Sequence, residues 1–148
     1  MKRVLEAARV APSGQNRQPW KFIIVKNENL KKQMVATCNN LGFLAEAPLI
    51  IVACGYNIHY NRGGYMGDMS MLTDASIALI HLILAARSEG LGTCWIGSFN
   101  NNEVKKLLGI PDEVNVVGVT PLGYPKAVGF AEPGPRKSLE EITSTNKF

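Results

Sequence analysis

At 148 residues and 46% hydrophobic content, the chain has the size of one domain, 1–148. A domain of this size buries roughly 70% of its unfolded surface, enough for a core without disulfide or metal staples. Its net charge of +4 is scattered rather than concentrated, which argues against a nucleic-acid binder and suits an anionic small molecule.

Lys31-Lys32 and Lys105-Lys106 fall among polar neighbours on helix-like segments and read as solvated faces. Three cysteines, Cys38, Cys54 and Cys94, show no paired spacing. Cys54 and Cys94 sit in apolar runs, so they read as buried free thiols of a reducing compartment.

Residues 1–9 (MKRVLEAAR) read as a helix with Val4, Leu5 and Ala8 on one face. They lack the apolar stretch of a secretory signal. Pro12 stops the helix. Residues 11–20 (APSGQNRQPW) form a loop far longer and more polar than a turn requires, ending in a large aromatic. Such a loop is a surface bridge or part of a binding site. A strand follows at 22–25, then a helix at 27–38 with Leu30, Met34 and Val35 inward. Pro48 opens a buried strand at 49–55 (LIIVACG), an unbroken apolar run bounded by Pro and Gly. Residues 56–66 (YNIHYNRGGYM) form a polar, aromatic loop long enough to be functional.

The strongest helical signal covers 67–89. Its stretch 74–86 (DASIALIHLILAA) is apolar on nearly every face, the mark of a helix buried on all sides. In a chain this small it reads as a central helix that also meets a second subunit. The longest apolar run, 77–86, is broken by His81 and is too short to span a bilayer. A cytoplasmic protein is therefore expected. Residues 91–97 (LGTCWIG) read as a third strand, closed by a loop at 98–101. A short helix at 103–108 ends at Gly109, a good residue just past a helix end. The strand at 114–123 carries Pro121, which argues for an edge strand or a late strand position. Residues 124–148 have no core pattern, so they wrap on something or stay disordered. Four strands and four or five helices favour an α+β or α/β sandwich.

Several catalytic templates fail. Gly90-Leu91-Gly92 begins like a dinucleotide loop, but Trp95 stands where the third glycine belongs. There is no P-loop and no G-x-S-x-G elbow. His59 and His81 lack partners at metal-ligand spacing. His81 reads as a hydrogen-bonded core residue, and Asp74 as the acceptor of a structural hydrogen bond rather than a base. With no nucleophile or acid–base set, the chain is a binding module or an enzyme whose chemistry belongs to a cofactor.

Residues 5–25 (LEAARVAPSGQNRQPWKFIIV) closely resemble the segment that marks the nitroreductase family of FMN-dependent oxidoreductases, a helix ending in Ala-Pro-Ser, then Asn-x-Gln-Pro-Trp and a strand. Two further stretches match in order. Residues 74–86 with 88–99 (SEGLGTCWIGSF) resemble its central helix, Gly-Leu-Gly and Trp-Ile-Gly. Residues 117–125 (VGVTPLGYP) with 135–142 (PRKSLEEI) resemble its last core strand and C-terminal Arg segment.

The resemblance implies an α+β, three-layer sandwich with a central, mainly antiparallel sheet and a C-terminal extension toward a partner subunit. It implies a homodimer with FMN at the interface. Pro12, Ser13, Gly14 and Asn16 would line the isoalloxazine ring, with Gln18 assisting, while Pro19 and Trp20 fix the loop to the core. Gly97 and Ser98 would offer backbone N–H to flavin N5, Trp95 would pack beneath them, and Arg136 would bind the FMN phosphate. NAD(P)H would deliver hydride to N5, and a nitroaromatic or quinone would then be reduced. The loop with Tyr56, Tyr60, Tyr65 and Met66 would wall the acceptor. The rival expectations are a non-catalytic flavin- or ligand-binding protein of the same fold, and a family member with other flavin chemistry, such as dehalogenation or flavin breakdown.

One departure stands out. The family pattern has a preceding Arg-Arg-Ser-x-Arg stretch that clamps the FMN phosphate, whereas this sequence opens at Met1-Lys2-Arg3. Two lost charge-assisted bonds of about 1.5–3 kcal/mol each would weaken FMN binding roughly a hundredfold or more. Three resolutions stay open: Met1 is not the natural start, Arg136 and a cation such as Arg17 compensate, or FMN binds weakly.

Overall fold

A computed structural model of the chain describes residues 1–58, 64–126 and 134–148. The apolar run at 49–56 organises everything else. It forms β2 (Leu49–Tyr56), and its alternate side chains enter two separate cores. Ile50, Val52 and Cys54 point to one core, Ile51 and Ala53 to the other. A strand covered on both faces has no polar alternation to show, so the sequence reads as continuous hydrophobicity. β2 pairs antiparallel with β1 (Trp20–Val25) and with β4 (Val114–Gly123). The short β3 (Gly92–Thr93) closes the order β1-β2-β4-β3, again antiparallel.

On one face lie α2 (Glu28–Thr37), α3 (Phe43–Glu46) and α6 (Asn101–Leu108), contributing Met34, Leu44 and Val104 to the first core. The other face carries α1 (Lys2–Arg9) and α5 (Ser70–Ser88), contributing Val4, Ala8, Leu79, Leu82 and Ala86 to the second. Each of these fully buried Leu or Met side chains contributes about 1.5–3 kcal/mol. The expected three-layer α+β sandwich with an antiparallel sheet is what forms. Gly109 ends α6 at φ 64° as read, and Asn27 and Asn100 prove to be N-caps, accepting the N–H groups of Leu30 and Glu103.

Five expectations change. The third strand shrinks to two residues plus a bridge between Ile96 and Val119. Pro121 has no N–H, and in this stretch Cys94 N–H donates instead to the Thr120 hydroxyl at 3.2 Å, so the ladder is interrupted. Pro121 does stand late in β4, but β4 is internal rather than an edge. One lysine of each pair is buried, not solvated. Lys31 Nζ donates to Ala47 O at 2.6 Å and pairs with Glu28, and Lys105 Nζ donates to Asp112 O at 2.8 Å. Lys105 thereby pins the loop that follows its own helix α6, and Lys31 pins the end of α3 to α2. Cys94 is exposed, while Cys38 and Cys54 are buried.

The fifth change concerns α5. At 19 residues it is long and apolar enough, by length and composition, to cross a membrane, beyond the run of ten read from the sequence. Its inner face packs on the sheet as a core helix does. Its outer face is open in the single chain: Met69, Leu72, Ile80 and Leu84 are exposed, Leu84 by 61%. His81 is only half-buried on this side. Ahead of it, α4 (Gly64–Asp68) occupies the end of the expected loop. In the tail, α7 (Leu139–Ile142) starts with a capping box between Ser138 and Glu141. All of residues 134–148 are exposed, Leu139 and Ile142 included.

Candidate functional site

The loop after α1 is a built structure rather than a bridge. Gln15, Asn16 and Gln18 all adopt left-handed backbone, with φ of 53°, 55° and 51°. That region costs roughly 1–2 kcal/mol for most L-residues, with Asn the tolerant exception. Several hydrogen bonds hold it. Ser13 Oγ accepts the Gln18 N–H at 2.9 Å. Gln18 Nε2 donates to Asn16 O and Oδ1 at 2.9 and 3.2 Å. Gly14 N–H donates to Oδ2 of Asp74, on the buried side of α5, at 3.0 Å. Tyr56 N–H donates to the carbonyl of the buried Pro19 at 2.9 Å, and Trp20 pairs with Gly55, so Pro19 and Trp20 do tie the loop to the sheet. Asp74 is the structural acceptor expected of it. The outcome is a rigid base with Pro12, Asn16 and Gln18 exposed and Ser13 half-exposed on top.

A second element comes from the chain after β3. Ile96 exchanges both backbone hydrogen bonds with Val119, at 2.9 and 3.0 Å. Gly97 and Ser98 then stand exposed. Trp95 lies over Gly118, where a Cβ would sit 3.4 Å from its Cζ2, yet it stays 39% exposed. It therefore packs on the sheet with its edge open. The Ser98 hydroxyl accepts from Asn39 Nδ2.

Arg136 remains on the tail, its Nη1 donating to Gly134 O and Pro135 O at 3.0 and 3.1 Å. Ser13, Asn16 and Gln18 are thus joined in one network. No hydrogen bond among the described residues joins them to Gly97, Ser98 or Arg136. A groove of 680 Å³ between α1 and β1, lined by Leu5, Arg9, Trp20 and Phe22 among others, contains none of these residues. Of the expected acceptor wall, Tyr56 and Tyr65 are exposed and Met66 is half-buried. Tyr60 and His59 lie outside the described residues, as does the part of the tail at 127–133.

Thiol chemistry is suppressed in the core. Burial pushes Cys54 up to about 11 and raises Cys38 as well, against a smaller opposing pull from the Thr37 hydroxyl. Sequence reasoning did not find Asn39. The Asn39-Asn40 pair signals a left-handed turn, with φ of 52° and 57°, but says nothing of what its amide reaches.

The exposed groups are side-chain amides at Asn16 and Gln18 and a guanidinium at Arg136, with no metal-ligand cluster among the described residues. The nitroreductase family model matches residues 1–41 and 31–124. The chain belongs to the nitroreductase family. It is 36% identical over 85% of its length to a putative NADH dehydrogenase/NAD(P)H nitroreductase of Archaeoglobus fulgidus, of which it spans 72%. A like-named protein of Methanothermobacter thermautotrophicus is 32% identical over 83% of this chain, which spans 64% of it. An iodotyrosine deiodinase of Thermotoga neapolitana is 30% identical over 93% of this chain, which spans 80% of it.

Among solved structures, a nitroreductase family protein of Clostridium novyi NT superposes with TM-score 0.76 at 38% identity, over 83% of this chain and 70% of that one. NfrA1 of B. megaterium reaches TM-score 0.88 over 99% of this chain and 65% of its own, at 22% identity, a likeness of fold. The nitroreductase fold therefore covers the sheet and both helical layers described above.

Proposed function

We infer that this nitroreductase-family chain, as one domain, is an FMN-dependent oxidoreductase using NAD(P)H to reduce an aromatic acceptor such as a nitroaromatic or quinone. The observation that carries the reading is the braced loop at 12–18. Left-handed backbone held by Ser13, Gln18 and Asp74 leaves the Asn16 amide nitrogen as a donor and the Gln18 side-chain Oε1 as an acceptor, types that would match the carbonyls and N–H of a pyrimidine ring edge. Pro12 and Ser13 offer a low surface on which a flat ring can lie, while Gly14 is buried beneath it and braces the loop through Asp74. Gly97 and Ser98, both exposed, would offer backbone N–H to flavin N5, and Arg136 would supply a guanidinium suited to the phosphate. When bound, FMN would supply the redox chemistry between NAD(P)H and the acceptor. The chain's own residues would hold and orient the ring, which is why the sequence needs no nucleophile.

The site residues stand exposed without a network joining them all, and two apolar features of the chain are uncovered. The outer stripe of α5, with Ile80 and Leu84, is one; Leu139 and Ile142 on the tail are the other. Both support a homodimer in which the second copy completes each FMN site. The free thiols fit a cytoplasmic home.

Purified chain is mixed with excess FMN, desalted, and read by its visible spectrum and by size-exclusion chromatography. A dimer retaining one FMN per chain and oxidising NAD(P)H with a nitroaromatic or quinone is expected. A colourless protein after FMN loading overturns the reading. The likeness to the iodotyrosine deiodinase favours reductive dehalogenation as the second reading. Halide release from a halogenated phenol, with no nitroaromatic turnover, would decide for it.

A further inference from the structure

The geometry points to Asn39 as a positioning residue that sets the orientation of the Gly97 and Ser98 backbone N–H groups. It deepens the flavin reading and rests on it. The segment from Ile96 to Asn100 is fixed at both ends. Ile96 is held by its two bonds to Val119, and Asn100 N–H donates to Thr37 O at 2.8 Å while its side chain caps α6. Between these clamps Gly97 has the widest backbone freedom of any residue type, and it is exposed. Inside the span, Phe99 packs against the first core, and Ser98 is tethered by the hydrogen bond from Asn39 Nδ2 to its Oγ.

Asn39 is itself well placed to hold a position. It follows the end of α2 in left-handed backbone, φ 52°, with Asn40 N–H returning to Val35 O at 2.9 Å and Leu41 N–H to Cys38 O at 3.1 Å. Its amide turns the Ser98 hydroxyl toward α2, so Ser98 offers its backbone, not its side chain, to whatever lies on the open surface. A short polar side chain in left-handed backbone meets both demands, and Asn is the residue that meets them at least strain.

The test uses Asn39→Gly, which relaxes the backbone and removes the amide, with Ser98→Ala and the double variant. The amide nitrogen order parameters of Gly97 and Ser98 in flavin-free protein are expected to fall from about 0.85 toward about 0.6 in either single variant, and no further in the double. In FMN-loaded protein, the ratio of dissociation constants for reduced and oxidised FMN is expected to move about two- to tenfold. Asn39→Asp, whose carboxylate can accept from the Ser98 hydroxyl, should restore the high order parameters. Unchanged order parameters in Asn39→Gly, additive losses in the double variant, or lowered order with an unmoved ratio would each overturn the proposal. Failure of the wild-type chain to hold FMN would instead overturn the flavin reading, and with it the flavin role of Asn39.

Discussion

Replacing Asp74 tests whether the loop at 12–18 is braced from below. Asp74→Ala removes the acceptor of the Gly14 N–H, a buried contact of 3.0 Å. A buried donor left without a partner costs about 1–3 kcal/mol, and bonds to charged groups lie at the upper end of the range. A loss of about 2 kcal/mol or more is expected in urea denaturation. The same figure corresponds to roughly a 30-fold larger open fraction of the loop if the damage stays local, which exchange of the Gly14 amide would report. Asp74→Asn keeps an acceptor oxygen and the side-chain shape, so it should lose about half as much. Its FMN affinity should stay closer to wild type than that of Asp74→Ala. Two results would refute the reasoning. If Asp74→Ala unfolds within 0.5 kcal/mol of wild type, the bond does not brace the loop. If Asp74→Asn is as damaging as Asp74→Ala, the negative charge matters rather than the acceptance of the Gly14 N–H.

Lys31→Met strips the donor from Ala47 O and should cost about 1–3 kcal/mol, whereas Lys32→Met on the exposed side should stay within about 0.5 kcal/mol; paired urea curves decide. Gly123→Ala places a Cβ 2.5 Å from Cδ of the rigid Pro48 ring, while in Gly55→Ala the nearest atom is the flexible Met71 thioether. The first should lower Tm more, its overpacking costing about 1–3 kcal/mol. Cys54 is held protonated to about 11, above its ordinary value of 9.0. The unfolded chain therefore releases this proton first, and the contribution is intact below pH 9 and lost as pH rises toward 11. Up to about 2–3 kcal/mol should disappear over that window, and Cys54→Ala should flatten this part of a Tm-against-pH profile. In native protein a thiol reagent should label the exposed Cys94 well before Cys38 or Cys54.

What the sequence reveals and hides follows from how far each signal reaches along the chain. The strands at 49–56 and 114–123 are legible because burial on both faces writes itself as an unbroken apolar run, and the helices because their apolar spacing and the end signal at Gly109 are local. The loop at 12–18 is legible as a motif, since its polar and small residues are needed together. Long-range satisfaction is not legible. Nothing beside Lys31 or Lys105 announces a carbonyl 16 or 7 residues on, so both pairs resemble solvated faces. The shortening of the third strand depends on Thr120 and Pro121 in another strand. Asn39 meets Ser98 across 59 residues, a contact that no periodicity or spacing records.

On the proposed flavin reading, the loop also shows where the chain concentrates its stability. The protein's share of the work is then orientation, and orientation requires a surface that does not relax when the ligand leaves. Left-handed backbone at Gln15, Asn16 and Gln18 is intrinsically unfavourable. It persists because contacts from Asp74, Ser13 and Tyr56 over-determine it. Those contacts come from three separate elements, α5, the loop itself and the end of β2. No single element can move without breaking a bond to the others. The strain is therefore evidence of preorganisation, and the buried carboxylate on α5 is the part of it that lies deepest in the fold.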